Sequence, residues 1–203
     1  MNEVIAFILP GMMYFWVLFI GQGPMQEVIF DREGNILPRI LASPVTLPQF
    51  ILAKMLRCFI ICGLAMVLLV VFSRMVYGVT WGNPLLLAVA IIACALSMTG
   101  LLAAIYSLAR TREQARTLSS TILLGMAMVG GGMFPFENLP GFLQAVGQFT
   151  PNRWGNLALR GVAGGKPFAD LIAPFASLIV LGLLGCGIAF VLFRRQLSTG
   201  RGK

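Results

Sequence analysis

Few side chains in this 203-residue sequence could do chemistry, and their types narrow it at once. There is no histidine, which excludes Ser-His-Asp catalysis, histidine-ligated zinc and histidine proton relays. The cysteines Cys58, Cys62, Cys94 and Cys186 all lie inside apolar runs. Cys58 and Cys62 are four residues apart on one helix face, where a disulfide is not expected, and there is no CxxC pair. They read as small buried residues and not as a metal or redox centre. The nearest approach to a phosphate loop is Gly161-Val162-Ala163-Gly164-Gly165-Lys166-Pro167. It is one residue short of GxxxxGK[ST], and Pro167 stands where Ser or Thr would hold the metal.

The elements that carry these residues are set by hydropathy. The chain is 58% hydrophobic and 11% charged, with mean hydropathy +0.89. A soluble domain has about 25% charged residues, so this chain has too little polar surface to coat itself in water. A helix crossing about 30 Å of hydrocarbon needs about 20 mostly apolar residues. Five stretches meet or approach that: 4–23, 56–77, 84–108, 117–133 and 171–193. The first has Glu3 in place of a basic flank and lacks an A-x-A cleavage pattern, so it reads as a retained span kinked at Pro10-Gly11. The expected fold is all-α, a polytopic transmembrane bundle.

Charge sets the orientation. The net charge of +8 could suit nucleic acid, but its distribution fits anchoring to a bilayer. Arg32, Arg39, Lys54, Arg57, Arg110, Arg112, Arg116, Arg194, Arg195, Arg201 and Lys203 fall on one side of the spans. Only Arg74, Arg153, Arg160 and Lys166 fall on the other. The larger set belongs in the cytoplasm, which puts the N-terminus outside and the C-terminus inside. Tyr77, Trp81 and Trp154 then lie near the outer boundary, as an aromatic belt would.

Two segments are not spans. Residues 24–49 mix Glu27, Asp31, Arg32, Glu33 and Arg39 with Val28, Ile29, Ile36, Leu37, Ile40 and Leu41. This is the pattern of an amphipathic helix interrupted by Gly34 and Pro38 and broken at Ser43-Pro44. It is either an interfacial helix or a docking surface for a cytoplasmic partner. In the second segment, Leu139, Phe142, Leu143, Val146 and Phe149 share one helical face. Thr150-Pro151 is an N-cap followed by proline at the first helical position, with Gly161 suited to the C-cap. Two short outer half-helices over 138–161 are expected, with a plain hairpin as the alternative.

These two segments, in this order among the spans, resemble the membrane subunits of ABC-2 type transporters. The first motif reads Asp31-Arg32-Glu33-Gly34, Arg39, Ser43-Pro44-Val45 and Lys54. The second reads Gly131-Gly132, Phe134-Pro135, Leu139-Pro140, Pro151 and Trp154. The resemblance covers nearly the whole chain and treats 1–203 as one transmembrane domain. It implies an export permease that pairs with a second permease copy or paralogue. ATP and Mg would be held by separate ATP-binding subunits, docked on 24–49 through Asp31, Arg32, Glu33, Gly34, Arg39, Ser43 and Pro44. No cofactor would be bound by this chain itself. Family members have six spans, so the span lacking here would be the first, and Pro38 departs from the usual pattern.

No span carries an acid or base near its centre, which disfavours a self-powered antiporter. A non-transport scaffold and a passive channel remain as alternatives. Small residues at Ala90/Cys94, Ala173/Ser177, Gly182, Gly185 and Gly187 favour close helix contacts, within one subunit or between two. Tyr14 and Trp16 either pack or line a path.

Overall fold

The computed structural model describes residues 2–34, 45–109, 111–132 and 136–199. These form seven α-helices: α1 (Asn2–Glu33), α2 (Leu47–Tyr77), α3 (Pro84–Leu108), α4 (Arg112–Val129), α5 (Gly141–Gly147), α6 (Pro151–Ala163) and α7 (Phe168–Thr199). A 3-10 turn, Phe136–Asn138, precedes α5. Among the described residues, four helices are long and apolar enough to cross a membrane: Ile8–Asp31, Leu47–Tyr77, Pro84–Leu108 and Phe168–Arg195. The stretch 117–133 falls mostly on α4, which carries Arg112, Glu113 and Arg116 in its first turns and is not one of the four.

The bundle is built around α3. Asn83 caps it, its Oδ1 accepting from the Leu85 N–H at 2.9 Å, and Pro84 occupies the first turn, where a missing N–H costs nothing. Buried Ala90, Ala93, Cys94, Ala95, Ser97, Ala103 and Gly100 keep its surface thin, so α1, α2, α6 and α7 all close on it. The tightest approach is to α7. A Cβ on Gly100 would lie 2.2 Å from the Gly182 carbonyl oxygen, and one on Gly185 would lie 2.6 Å from the Gly100 backbone. Gly182 and Gly185 therefore serve packing within the chain, whereas Gly187 and Ala173 are exposed.

Helix α2 buries Ile51, Met55, Cys58, Cys62, Met66, Val70 and Ser73 along one stripe. Its opposite side exposes Leu52, Leu56, Leu64, Leu68 and Met75, as a lipid-facing helix must. It ends at Gly78, whose φ of 65° is open to glycine at no steric cost; the Gly78 and Val79 N–H groups return to the Arg74 and Ser73 carbonyls. Trp81 turns inward and donates to Ser73 Oγ at 2.9 Å, while Tyr77 stays exposed.

Several sequence expectations need correction. α1 is one continuous helix through Pro10 and Pro24, so residues 24–33 prolong the first span and do not form a separate amphipathic helix. A proline removes one backbone bond. Burial of Met25, Val28 and Ile29, the hydrogen bond donated by Gln26 and those accepted by Gln22 carry the helix past Pro24. Gly34 does end it, its N–H donating to Phe30 O at 2.8 Å. Residues 47–49 already belong to α2, because Pro48 in a first turn starts a helix as readily as it breaks one. Gly161 is not the C-cap of α6. The helix runs to Ala163, Gly165 takes φ 67°, and the Lys166 N–H closes on Gly161 O at 2.9 Å. The Gly161–Lys166 run is thus a helix-terminating turn.

Candidate functional site

Polar groups collect where the C-terminal end of α1 meets the N-terminal ends of α2 and α4. Glu27 and Asp31 are one turn apart on α1, so both face α2. Lys54 stands between them, 3.1 Å from Glu27 and 2.8 Å from Asp31, and Arg57 also pairs with Glu27. The side chains of Lys54 and Asp31 are only 18% and 17% exposed. That makes this a half-buried network, worth more than a surface pair. Lys54 Nζ also lies 5.6 Å from the Phe50 ring centre.

The same end of α1 is tied to α4. The Glu33 carboxylate accepts from the Arg112 backbone N–H at 3.0 Å and pairs with its guanidinium. Arg112 is the first residue of α4, so the carboxylate sits on a helix N-terminus, where backbone N–H groups and the dipole favour an anion. The guanidinium lies 3.9 Å from the Phe30 ring centre. Thr111 caps the helix, accepting from Gln114 N–H at 3.3 Å.

One to three turns deeper, Tyr106 of α3 joins α1 to α4. Its hydroxyl donates to Gln22 Oε1 at 3.3 Å and lies 3.2 Å from Ser119 Oγ, which itself donates to Gln22 Oε1 at 3.0 Å. Gln26 Nε2 donates to the Tyr106 hydroxyl at 3.1 Å. These groups satisfy one another away from water, which low-dielectric surroundings demand.

At the other end of the bundle, α6 grips the glycine turn after α4. Asn152 Nδ2 donates to Met126 O at 3.2 Å, and Asn156 Nδ2 donates to Gly131 O at 2.6 Å. Gly11 of α1 meets the same turn: a Cβ there would lie 3.0 Å from Asn156 Nδ2 and 3.1 Å from Gly131 O. Tyr14, fully buried, lies against Gly155 and hydrogen bonds to Ser97 at 2.8 Å. It is a packing residue, whereas Trp16 is exposed.

The structure brings Asp31 and Glu33 into the charged end, and Gly34 to its edge. Of Arg32 only the backbone is described, and Arg39, Ser43 and Pro44 lie outside the described residues. In the second motif, Leu139 O accepts from Gln144 Nε2 at 2.9 Å, Pro140 O starts α5, Pro151 is the buried first residue of α6, and Trp154 Nε1 donates to Gln148 O at 2.8 Å. Phe134 and Pro135 lie outside the described residues. The face of α5 carrying Phe142 and Val146 points away from the protein, as does Phe149 in the turn that follows.

Sequence reasoning missed the pairing of Glu27 and Asp31 with Lys54 and Arg57, that of Glu33 with Arg112, and the Gln22–Gln26–Tyr106–Ser119 group. The four-residue spacings Glu27/Asp31 and Gln22/Gln26 were the available signals. Without the tertiary partners, Glu27 and Asp31 read as charges of an amphipathic segment and Gln22 as part of the first span.

A bundle with four apolar membrane-length helices, charged at one end and capped by two short helices at the other, defines a polytopic membrane protein. Residues 1–191 match the family described as ABC-2 family transporter protein, and the chain belongs to that family. It is 24% identical over 181 residues to the linearmycin resistance permease protein LnrN of Bacillus subtilis, covering 89% of this chain and 45% of that protein. It is 27% identical over 180 residues to the inner membrane transport permease YhhJ of Escherichia coli, covering 85% and 47%. It is 24% identical over 197 residues to the probable multidrug ABC transporter permease YbhS of Escherichia coli, covering 95% and 52%. The chain thus spans about half the length of the curated relatives it matches.

Proposed function

We propose that this chain forms part of the substrate pathway of an ABC exporter in the bacterial cytoplasmic membrane. ATP and Mg are held on a separate ATP-binding subunit, and a second permease copy or paralogue completes the pathway. The family match over residues 1–191 carries this reading. The charged end faces the cytoplasm, which the excess of Lys and Arg there supports. The ATPase docks at this end, on the segment joining α1 to α2, with Asp31 and Glu33 at its base. ATP-driven movement of the partner pulls on α1, and the ties to Lys54 and Arg112 pass the displacement to α2 and α4.

Two measurements test it. Val45→Cys and Lys166→Cys are both exposed sites, at opposite ends of the bundle. An impermeant thiol reagent applied to intact cells should label Lys166→Cys and spare Val45→Cys; the reverse pattern inverts the topology and ends the docking assignment.

The second measurement separates partner contact from internal support. Glu33→Arg alone places two cations together and should cut ATP-driven transport at least about tenfold, since the like-charge pair costs the helix N-terminus its anion. The swap Glu33→Arg with Arg112→Glu restores an opposite-charge pair. If the ATPase reads the charge at position 33, the swap stays uncoupled while the chain folds normally. Full recovery of coupling in the swap would show that Glu33 acts only inside this chain.

A further inference from the structure

A cavity of about 370 Å³ opens between α1 and α4 at the charged end, within the size range of ligand sites. Ile29, Phe30 and Ala115 give it an apolar floor beside the Gln26 amide, and Arg112, Glu113 and Arg116 stand on its rim. Arg112 is already engaged by Glu33 and by the Phe30 ring. Arg116 and Glu113 are different. Both are exposed, and neither side chain has an ion-pair partner among the described residues. They are three residues apart on one helix, so they present one free cation and one free anion on neighbouring positions.

The cavity lies where the apolar helices give way to charged residues, the depth at which phospholipid headgroups sit. Phe30 also continues an exposed face of α1 that runs back through Gly23, Trp16 and Met12. A ligand seated on the rim could therefore lay an acyl chain along that face without leaving hydrocarbon.

We propose that this cavity binds the headgroup of an ethanolamine phospholipid, with the phosphate on the Arg116 guanidinium and the primary ammonium on the Glu113 carboxylate. The pairing follows from charge count and donor chemistry. A zwitterion answers one free cation and one free anion, whereas an anionic headgroup leaves Glu113 facing a negative charge. A choline headgroup supplies the charge but no N–H to donate to the carboxylate. The apolar floor and the adjoining face select a lipid over free phosphate.

The test is native mass spectrometry of the full chain in detergent micelles with phosphatidylethanolamine, phosphatidylglycerol or phosphatidylcholine of identical acyl chains, and with inorganic phosphate. Phosphatidylethanolamine should be retained in preference to the other two lipids. Arg116→Gln should lower its retention about tenfold, the expected effect of losing one charge-assisted hydrogen bond. Arg74→Gln removes the same charge at the opposite end of the bundle and should leave retention unchanged. Glu113→Gln should erase the preference over phosphatidylglycerol while keeping lipid bound. Equal losses in Arg116→Gln and Arg74→Gln would reduce the effect to net charge and overturn the site. Competition by inorganic phosphate as strong as by lipid would overturn the lipid assignment, and an unchanged preference in Glu113→Gln would overturn the ammonium contact. Both Arg116 and Glu113 are exposed, so none of these variants threatens folding.

Discussion

Gly100→Ala should destabilise the bundle by about 3 kcal/mol, toward or beyond the upper end of the usual cost of overpacking. The added methyl would lie 2.2 Å from the Gly182 carbonyl oxygen and 2.9 Å from Gly182 Cα, and both are backbone atoms that no rotamer change can move. α3 and α7 would have to part along the interface that holds α7 to the core. In a membrane, helix association rests on close van der Waals fit and not on the hydrophobic effect, so the lost contacts are not replaced by burial elsewhere. The check is the denaturant midpoint in mixed micelles, together with the monodispersity of the purified chain. Gly187→Ala is the control, placed on α7, the other helix of this pair. A Cβ there meets nothing within 4 Å, so this substitution should be neutral or stabilising by up to about 1 kcal/mol through helix propensity. Equal behaviour of the two variants would show that the α3–α7 approach is not as close as described.

Lys54→Met should have the second large effect, and it should be repairable. Lys54 bridges Glu27 and Asp31, and removing it leaves Asp31 with no cation among its described ion-pair partners. Breaking a fully buried pair costs about 3–5 kcal/mol, and exposed pairs are worth under about 1 kcal/mol. With both side chains less than a fifth exposed, a loss of about 2 kcal/mol is expected. Glu27 keeps Arg57. Adding Asp31→Leu to Lys54→Met removes the orphaned carboxylate and should return most of the stability. On the proposed function, coupling to ATP hydrolysis should stay low in the double variant, because Glu27–Arg57 is then the remaining ion pair between α1 and α2 among the described residues. Thermal unfolding and ATP-driven transport, measured on the single and double variants, separate the two effects. Transport that recovered along with stability would assign the cluster to folding only.

Both variants act on features that a linear reading describes incompletely. Hydropathy and the absence of histidine were enough for the class of protein, because a span of apolar residues has one stable solvent and one stable backbone state in it. The boundaries of α3 were equally legible, since Asn83-Pro84 is a strong start signal and the apolar run stops at Leu108. The two short helices followed from the spacing of Leu139, Leu143 and Val146 and from Thr150-Pro151, which needs no tertiary information. The motifs that carried the family resemblance are likewise strings of residue types in order.

What the sequence by itself determined was thus the solvent, the helices and the family. Only the tertiary structure decided where α1 ends, because helix continuation past Pro24 depends on partners that Met25, Gln22 and Gln26 find on other helices. It also decided that Glu33 meets Arg112 and that Lys54 meets two carboxylates. Charges on a membrane protein read in sequence as a count of which side they favour. Their pairing depends on which helix ends adjoin, and that rests on close contacts such as Gly21 of α1 against Cys62 of α2, tens of residues away in the chain. A pattern with a period of 3.6 residues names the face of a helix, but it does not name the face it meets.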